Sequence, residues 1–215
     1  MQQSYETDEF SHIIYIDEAG RGCLAGPVFV GAVMWNNVQD NEWQHIRDSK
    51  KLSRKKRNEL VPYIEKTAFL SSVCSSSVQE IENINILQAT FTAMHRTIDQ
   101  ILYKLEGKQE IDPENILLCI DGNNFKPYMY KGKFISHVCI PKGDNKYVGI
   151  AAASILAKVY HDRYIIDLCK KNTLLNTQYG WEKNVCYGTK LHIEGIMNFG
   201  ITKHHRKTFG ICRNY

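Results

Sequence analysis

The sequence predicts an α/β fold built on a mixed central sheet. Three observations carry that expectation. Two apolar, β-branched runs stand near the start of the chain, strand-like runs then alternate with helical patterns, and glycine with aspartate punctuates the ends of the runs.

Residues 12–16 are apolar and β-branched, and they break at Asp17-Glu18-Ala19-Gly20-Arg21-Gly22. A second apolar run covers 28–34, so the two read as adjacent strands joined by a glycine-rich turn. A loop is expected over 36–42, then a helix over 54–66 with Ser53 as its N-cap. Residues 68–78, rich in Ser and Val, read as a third strand. Leu87, Phe91, Met94, Ile98, Ile101 and Leu105 recur at alternating spacings of four and three, one apolar stripe of a helix. Residues 106–115 form a turn. The wholly apolar run 116–120 ends at Asp121-Gly122 and suits a strand buried on both faces. A further strand over 136–140 leads to Lys142-Gly143-Asp144, and an alanine-rich helix is expected over 147–169. The tail, 179–215, holds scattered helical signals and a His-Arg-Lys cluster, and is expected as a C-terminal extension of one domain spanning 1–215.

At 215 residues the chain is long enough to bury a core without disulfides or a structural metal. With 43% hydrophobic and 23% charged residues, collagen-like and disordered classes are excluded. No run approaches the 18 or so apolar residues a membrane helix needs, and the first ten residues are polar and acidic, unlike a secretion signal. A cytoplasmic monomer is the expectation. The seven cysteines are odd in number and form no C-x-x-C pair, so they read as reduced core residues.

Net charge is only +4, but its placement is uneven. Residues 47–57, RDSKKLSRKKR, hold seven basic residues and one acid, which leaves 20 basic against 22 acidic residues elsewhere. A compact basic patch on a near-neutral chain is what phosphate-backbone binding requires, although a solvated helix face also produces one.

Three acids follow apolar runs beside glycine: Asp17, Asp121 and Asp144. Functional groups of open α/β sheets cluster at strand ends. Glu18 reaches the same place as Asp17 only if the chain bends there, since strand side chains alternate faces. Four converging carboxylates repel one another, and all-oxygen ligands favour Mg2+ or Mn2+ as the remedy. Two such ions about 3.5–4 Å apart would clamp a phosphodiester. Singly, each acid is as well explained as a turn residue or cap, and Asp144 could cap the alanine-rich helix.

In order along the chain stand IDEAGRGCLAGPV (16–28), DSKKLS (48–53), EIENINILQAT (80–90), IDGNNF (120–125), KGDNK (142–146), IAAASILAKV (150–159), YGT (187–189) and HHRKTFG (204–210). This series resembles bacterial ribonuclease HII over nearly the whole chain. The resemblance implies a ribonuclease H-like fold with a small helical C-terminal region. It implies a metal-dependent endonuclease acting on the RNA strand of RNA/DNA hybrids and on ribonucleotides embedded in duplex DNA. Carried over motif by motif, it puts the metal-binding catalytic carboxylates at Asp17, Glu18, Asp121 and Asp144, with two Mn2+ or Mg2+ ions. Substrate contacts fall on Gly20, Arg21, Gly22, Ser49, Lys50 and Lys51, and the ribose-sensing tyrosine on Tyr187. The expected reaction is in-line attack by metal-bound water 5′ of a ribonucleotide, leaving a 3′-hydroxyl and a 5′-phosphate. Asp17 would bridge the two ions, Asp144 serve the water side, and Glu18 with Asp121 the leaving-group side.

The chain departs from the family pattern at three places: Cys23 in place of a proline, Cys186 in place of a glycine before Tyr187, and His161 in place of an arginine. None replaces a carboxylate. Asp162, four residues after Lys158, is explained as well by a helix salt bridge as by a role at the site. His204 and His205 lack the partners a zinc site needs. The cluster 204–207 is read as structural or nucleic-acid-facing, with Lys203, Arg206 and Lys207 placed to contact the duplex away from the cut; Arg54 to Arg57 read as a wet helix face, and His192 as a brace for the tail. Two further readings remain at this level: a ribonuclease H-like DNA nuclease of resolvase or integrase type, and a duplex-binding module without catalysis. Ribonuclease HIII is disfavoured, since only about a dozen residues precede the first strand.

Overall fold

A computed structural model describes residues 1–2, 4–5, 7–35 and 42–215. The loop expected over 36–42 lies outside them except for Glu42, which opens a 3-10 turn, Glu42–His45. Five strands form the main sheet: β1 (His12–Ala19), β2 (Val28–Met34), β3 (Leu70–Ser76), β4 (Ile116–Asp121) and β7 (Ser136–Ile140), in the order β3-β2-β1-β4-β7. The β1–β2 and β2–β3 pairs are antiparallel, while β1–β4 and β4–β7 are parallel. The sheet is therefore mixed, as expected. A small hairpin of β5 (Met129–Tyr130) and β6 (Lys133–Phe134), absent from the sequence reading, precedes β7.

Side-chain alternation along β1 sorts the core into layers. Ile14 and Ile16 point to α2 (Val78–Glu106), packing with Met94, Ile98 and Ile101. Tyr15 points the other way and packs with Ile150 of α3 (Val148–Lys171). Behind it, α1 (Arg54–Thr67) meets α3 through Leu60, Val61, Ile64 and Ile155. α3 lies so close to β2 that a Cβ at Gly31 would stand 2.4 Å from the Ala153 carbonyl oxygen, so only glycine fits. A third cluster joins the end of α3 to the tail helices α4 (Leu174–Tyr179), α5 (Trp181–Asn184) and α6 (Lys190–Phe199), around Trp181, Tyr179 and four cysteines. All seven cysteines are free, and Cys74 and Cys139 are only partly buried.

Several boundaries differ from expectation for local reasons. β1 runs on to Ala19 because its antiparallel ladder with β2 continues to Ala19–Phe29, whereas its parallel ladder with β4 stops at Ile16–Ile120. Asp17 and Glu18 thus lie inside a strand, just past the parallel part of the sheet. β3 is shorter than 68–78, since Ser77 is recruited as the N-cap of α2 in a capping box with Glu80. α2 is broken at Asn85 (φ 65°), whose Oδ1 accepts the N–H groups of Leu87 and Gln88 and restarts the helix. That break turns Leu87 out of the predicted stripe and leaves it exposed, while the five residues after it stay buried. Tyr147, not Asp144, is the N-cap of α3. Ser53 does cap α1, accepting the Lys56 N–H at 3.2 Å. Among the described residues, no helix is long and apolar enough to cross a membrane.

Candidate active site

One cavity of about 210 Å³ gathers Asp17, Glu18, Gly20, Arg21, Gly22, Ser49, Lys50, Asp121 and Tyr187, together with Ser154 and Lys158. Its floor is the C-terminal edge of the parallel strands. Asp17 follows Ile16 in the alternation, so it faces α3, where the Ser154 hydroxyl donates to it. Ser154 in turn lies 2.9 Å from the Ser49 hydroxyl. The Glu18 N–H donates to Asp17 Oδ1 at 2.7 Å, and the Glu18 carboxylate takes the Arg21 guanidinium at 3.2 Å. Asp121 ends β4 and accepts the Gly143 N–H at 2.6 Å, which ties the strand to the turn carrying Asp144.

Asp144 is buried beside this cavity rather than in its wall. The Asn145 amide donates to Asp144 at 3.0 Å and to Asp48 at 3.4 Å. Lys51 points away from the cavity to Asn145 and Asp48. Of the sequence-predicted residues, Asp144 and Lys51 are therefore neighbours of the cavity, and the other nine line it.

Charge is the strained quantity here. Burial, with the negative charges of Glu18 and Asp121, lifts the Asp17 carboxyl well above its ordinary range. Burial also lifts Glu18, partly offset by Arg21, and lifts Asp144, with Asp121 and Asp48 adding repulsion. Among the described residues no three Asp, Glu, His or Cys side chains are gathered tightly enough to hold an ion, and each of the four carboxylates takes a local protein donor. The donor chemistry nevertheless fits a hard divalent cation: oxygen only, with an excess of negative charge held in low dielectric.

Three positively charged residues shape the site in ways the sequence reading did not assign. Arg206 takes the structural of the two roles open to its cluster: it is wholly buried and donates to the carbonyls of Gly26, Arg21 and Gly20 at 2.8–2.9 Å. Arg57, expected on a wet helix face, clamps the carbonyls of Ser49 and Leu52 instead. Arg54 stays exposed on that face and donates to the Glu182 carbonyl at 3.0 Å. Lys158 makes the expected salt bridge to Asp162 at 2.9 Å, and its ammonium also sits 4.8 Å from the Tyr187 ring centre. A long basic side chain on a buried helix was the available signal for it. His192 braces the tail as expected: the Trp181 indole N–H donates to its Nε2 at 3.0 Å, and its Nδ1 lies 3.1 Å from the Tyr187 carbonyl.

Comparison with known proteins gives the family and the fold. The family model described as Ribonuclease HII matches residues 14–212. Ribonuclease HII of Parabacteroides distasonis is 48% identical over 193 residues, covering 90% of this chain and 87% of that protein. Ribonuclease HII of Pelagibacter ubique is 43% identical over 195 residues, covering 90% and 93%. Among solved structures, the PCNA:RNase HII complex from Archaeoglobus fulgidus matches with a TM-score of 0.65 at 23% identity, over 93% of this chain and 96% of that one. Bst-RNase HIII in complex with Mn2+ matches with a TM-score of 0.67 at 18% identity, over 90% and 64%. These two share the fold.

Proposed function

The chain belongs to the ribonuclease HII family, and on that footing we propose that it hydrolyses the RNA strand of RNA/DNA hybrids and incises duplex DNA on the 5′ side of an embedded ribonucleotide. It is a type II ribonuclease H. The observation that carries the finer reading is the single cavity that joins the acidic strand ends to Gly20-Arg21-Gly22 and Tyr187.

Asp17, Glu18, Asp121 and Asp144 would hold two Mg2+ or Mn2+ ions. A divalent ion supplies Lewis-acid activation of water and neutralises charge building on the phosphate. The protein does the rest. Ser154 orients Asp17, Gly143 orients Asp121, and Lys50 gives the phosphate backbone a cation at the cavity mouth. Ser49 and Lys51 stand beside it, with Ser49 fixed through Ser154. Gly20 and Gly22 let a sugar approach the backbone, and the Tyr187 ring packs against the neighbouring deoxyribose. Recognition of a 2′-hydroxyl is what separates RNA from DNA, and a site built to bond it rejects the analogue lacking it. The phosphorus–3′-oxygen bond breaks, water's oxygen joins phosphorus, and its proton leaves with the 3′-hydroxyl product.

The test is a labelled DNA duplex with one embedded ribonucleotide, beside an all-DNA control, in Mg2+, Mn2+ or EDTA. Metal-dependent cutting 5′ of the ribonucleotide with the control intact is expected. Cutting of the all-DNA duplex would replace this reading with a DNA nuclease.

A further inference from the structure

Two of the three positions where the chain departs from the ribonuclease HII pattern meet in space behind Tyr187. The Cys23 sulfur lies 3.7 Å from His161 Nε2. His161 Nδ1 lies 3.0 Å from Asp162 Oδ1, so it carries the proton and leaves Nε2 as an acceptor. The thiol hydrogen then has two acceptors, that nitrogen and the Val185 carbonyl at 3.5 Å. The Tyr187 hydroxyl stands within hydrogen-bonding reach of Cys23 and of the Gly20 backbone. The third departure, Cys186, completes the nook, since its carbonyl accepts the Leu24 N–H at 2.9 Å.

The fit is close as well as polar. His161 is fully buried, T-shaped against Phe29 at 6.0 Å and against Tyr187 at 6.4 Å between ring centres. A Cβ added at Gly20 would stand 2.6 Å from its ring. The imidazole therefore touches both the glycine loop and the tyrosine.

We propose that Cys23 and His161 are positioning residues for Tyr187: thiol and imidazole together set where the tyrosine hydroxyl sits against Gly20, and so set how strictly a single ribonucleotide is recognised. The proposal rests on the reading of Tyr187 as the residue that meets the sugar. The thiol is no nucleophile here, since it is fully enclosed and burial pushes its pKa up to about 11. Asp162 extends the chain of contacts outward, held by Lys158 at 2.9 Å and by Arg57 at 3.6 Å.

The experiment compares wild type with Cys23→Ala, Cys23→Ser, His161→Leu and His161→Gln on two substrates, a duplex with one ribonucleotide and a continuous RNA/DNA hybrid. A 3-fluorotyrosine label, assigned at Tyr187 through Tyr187→Phe, reports the ring by 19F NMR without any turnover. Cys23→Ala and His161→Leu should lose about tenfold or more in kcat/KM on the single ribonucleotide, as a misplaced group does. The loss should fall mainly in kcat, the hybrid should change far less, and the 19F line should shift or broaden. Cys23→Ser and His161→Gln, which keep a polar partner, should recover most of both. Folded variants that keep the substrate ratio and an unchanged 19F line would overturn the proposal. If wild type leaves the embedded ribonucleotide uncut, the functional reading fails instead, and the 19F line alone decides whether the pair holds the ring.

Discussion

Arg206 and Gly20 are 186 residues apart in sequence and joined by a 2.8 Å hydrogen bond from guanidinium to carbonyl. The same side chain takes the Arg21 and Gly26 carbonyls, so the C-terminal segment holds the glycine loop from behind while its front faces the cavity. The backbone repeats the connection, with the Arg206 N–H donating to the Leu24 carbonyl at 2.8 Å. Arg206→Met would take a donor from three carbonyls, of which Gly20 keeps only the Cys23 N–H at 3.2 Å. The expected cost is about 2–4 kcal/mol, or ~10 °C in Tm for a chain this long. Arg206→Lys should not rescue it, because an ammonium cannot reproduce the planar fork. Thermal melts decide this, and an unchanged Tm in Arg206→Met would remove the clamp from the account.

The mixed sheet and the acidic strand ends were readable from sequence because both rest on local signals. An apolar run, a carboxylate and a glycine follow one another at Asp17 and Asp121, and the run supplies the strand that delivers the acid. The roles of Arg57 and Arg206 were not readable. In a charge count both belong to the basic surface, and only the tertiary meeting of each guanidinium with a set of carbonyls puts them inside. Leu87 shows the converse: its spacing is helical and apolar, yet one residue in the left-handed region, Asn85, turns it outward. Cys23 and His161 stood out in sequence only as departures, and their contact lies across 138 residues.

Asp17→Asn should abolish turnover while leaving duplex binding near wild type. The loss is expected to exceed about 100-fold in kcat, or ~2.7 kcal/mol of transition-state stabilisation. The same change should stabilise the metal-free protein at neutral pH. A carboxyl whose folded pKa lies above its unfolded value opposes folding once pH exceeds that folded value, and the penalty disappears as pH falls below the unfolded value. The gain, on the order of 1 kcal/mol, should therefore shrink towards pH 4 and should be absent when Mn2+ is saturating. Urea titrations with EDTA or Mn2+ check both signs. Wild-type turnover in Asp17→Asn would sink its role at the centre of the site.

Cys186 has φ 68° in place of the family's glycine, and the preceding Val185 has φ 42°. Its sulfur is buried, so truncation to alanine loses contact without relieving the backbone. Cys186→Gly loses the same contact and relieves it as well. Glycine should accordingly exceed alanine in stability at this position by about 1 kcal/mol, the reverse of the usual order. Equal denaturation midpoints for the two variants would mean that the positive φ carries no strain.

His205 shows how acid would act on the tail. Its Nδ1 accepts the Thr202 N–H at 2.8 Å, so its Nε2 carries the proton and donates to His192 Nε2 at 3.1 Å, where the Trp181 indole also donates. Every acceptor in that arrangement is spoken for, and a second proton has no place. Burial, with His192 and His204 alongside, lowers the His205 pKa to about 3. The unfolded chain takes up its proton near pH 6.5 and the folded protein does not, so stability falls as pH drops through that value. Between pH 7 and pH 5 this histidine should cost about 1–2 kcal/mol, after allowance for solvent screening. His205→Gln should be less stable at pH 7 but flatter across the same range. Urea midpoints for the two proteins at both values measure the difference in slope, and parallel slopes would show that His205 accepts its proton without disturbing the tail.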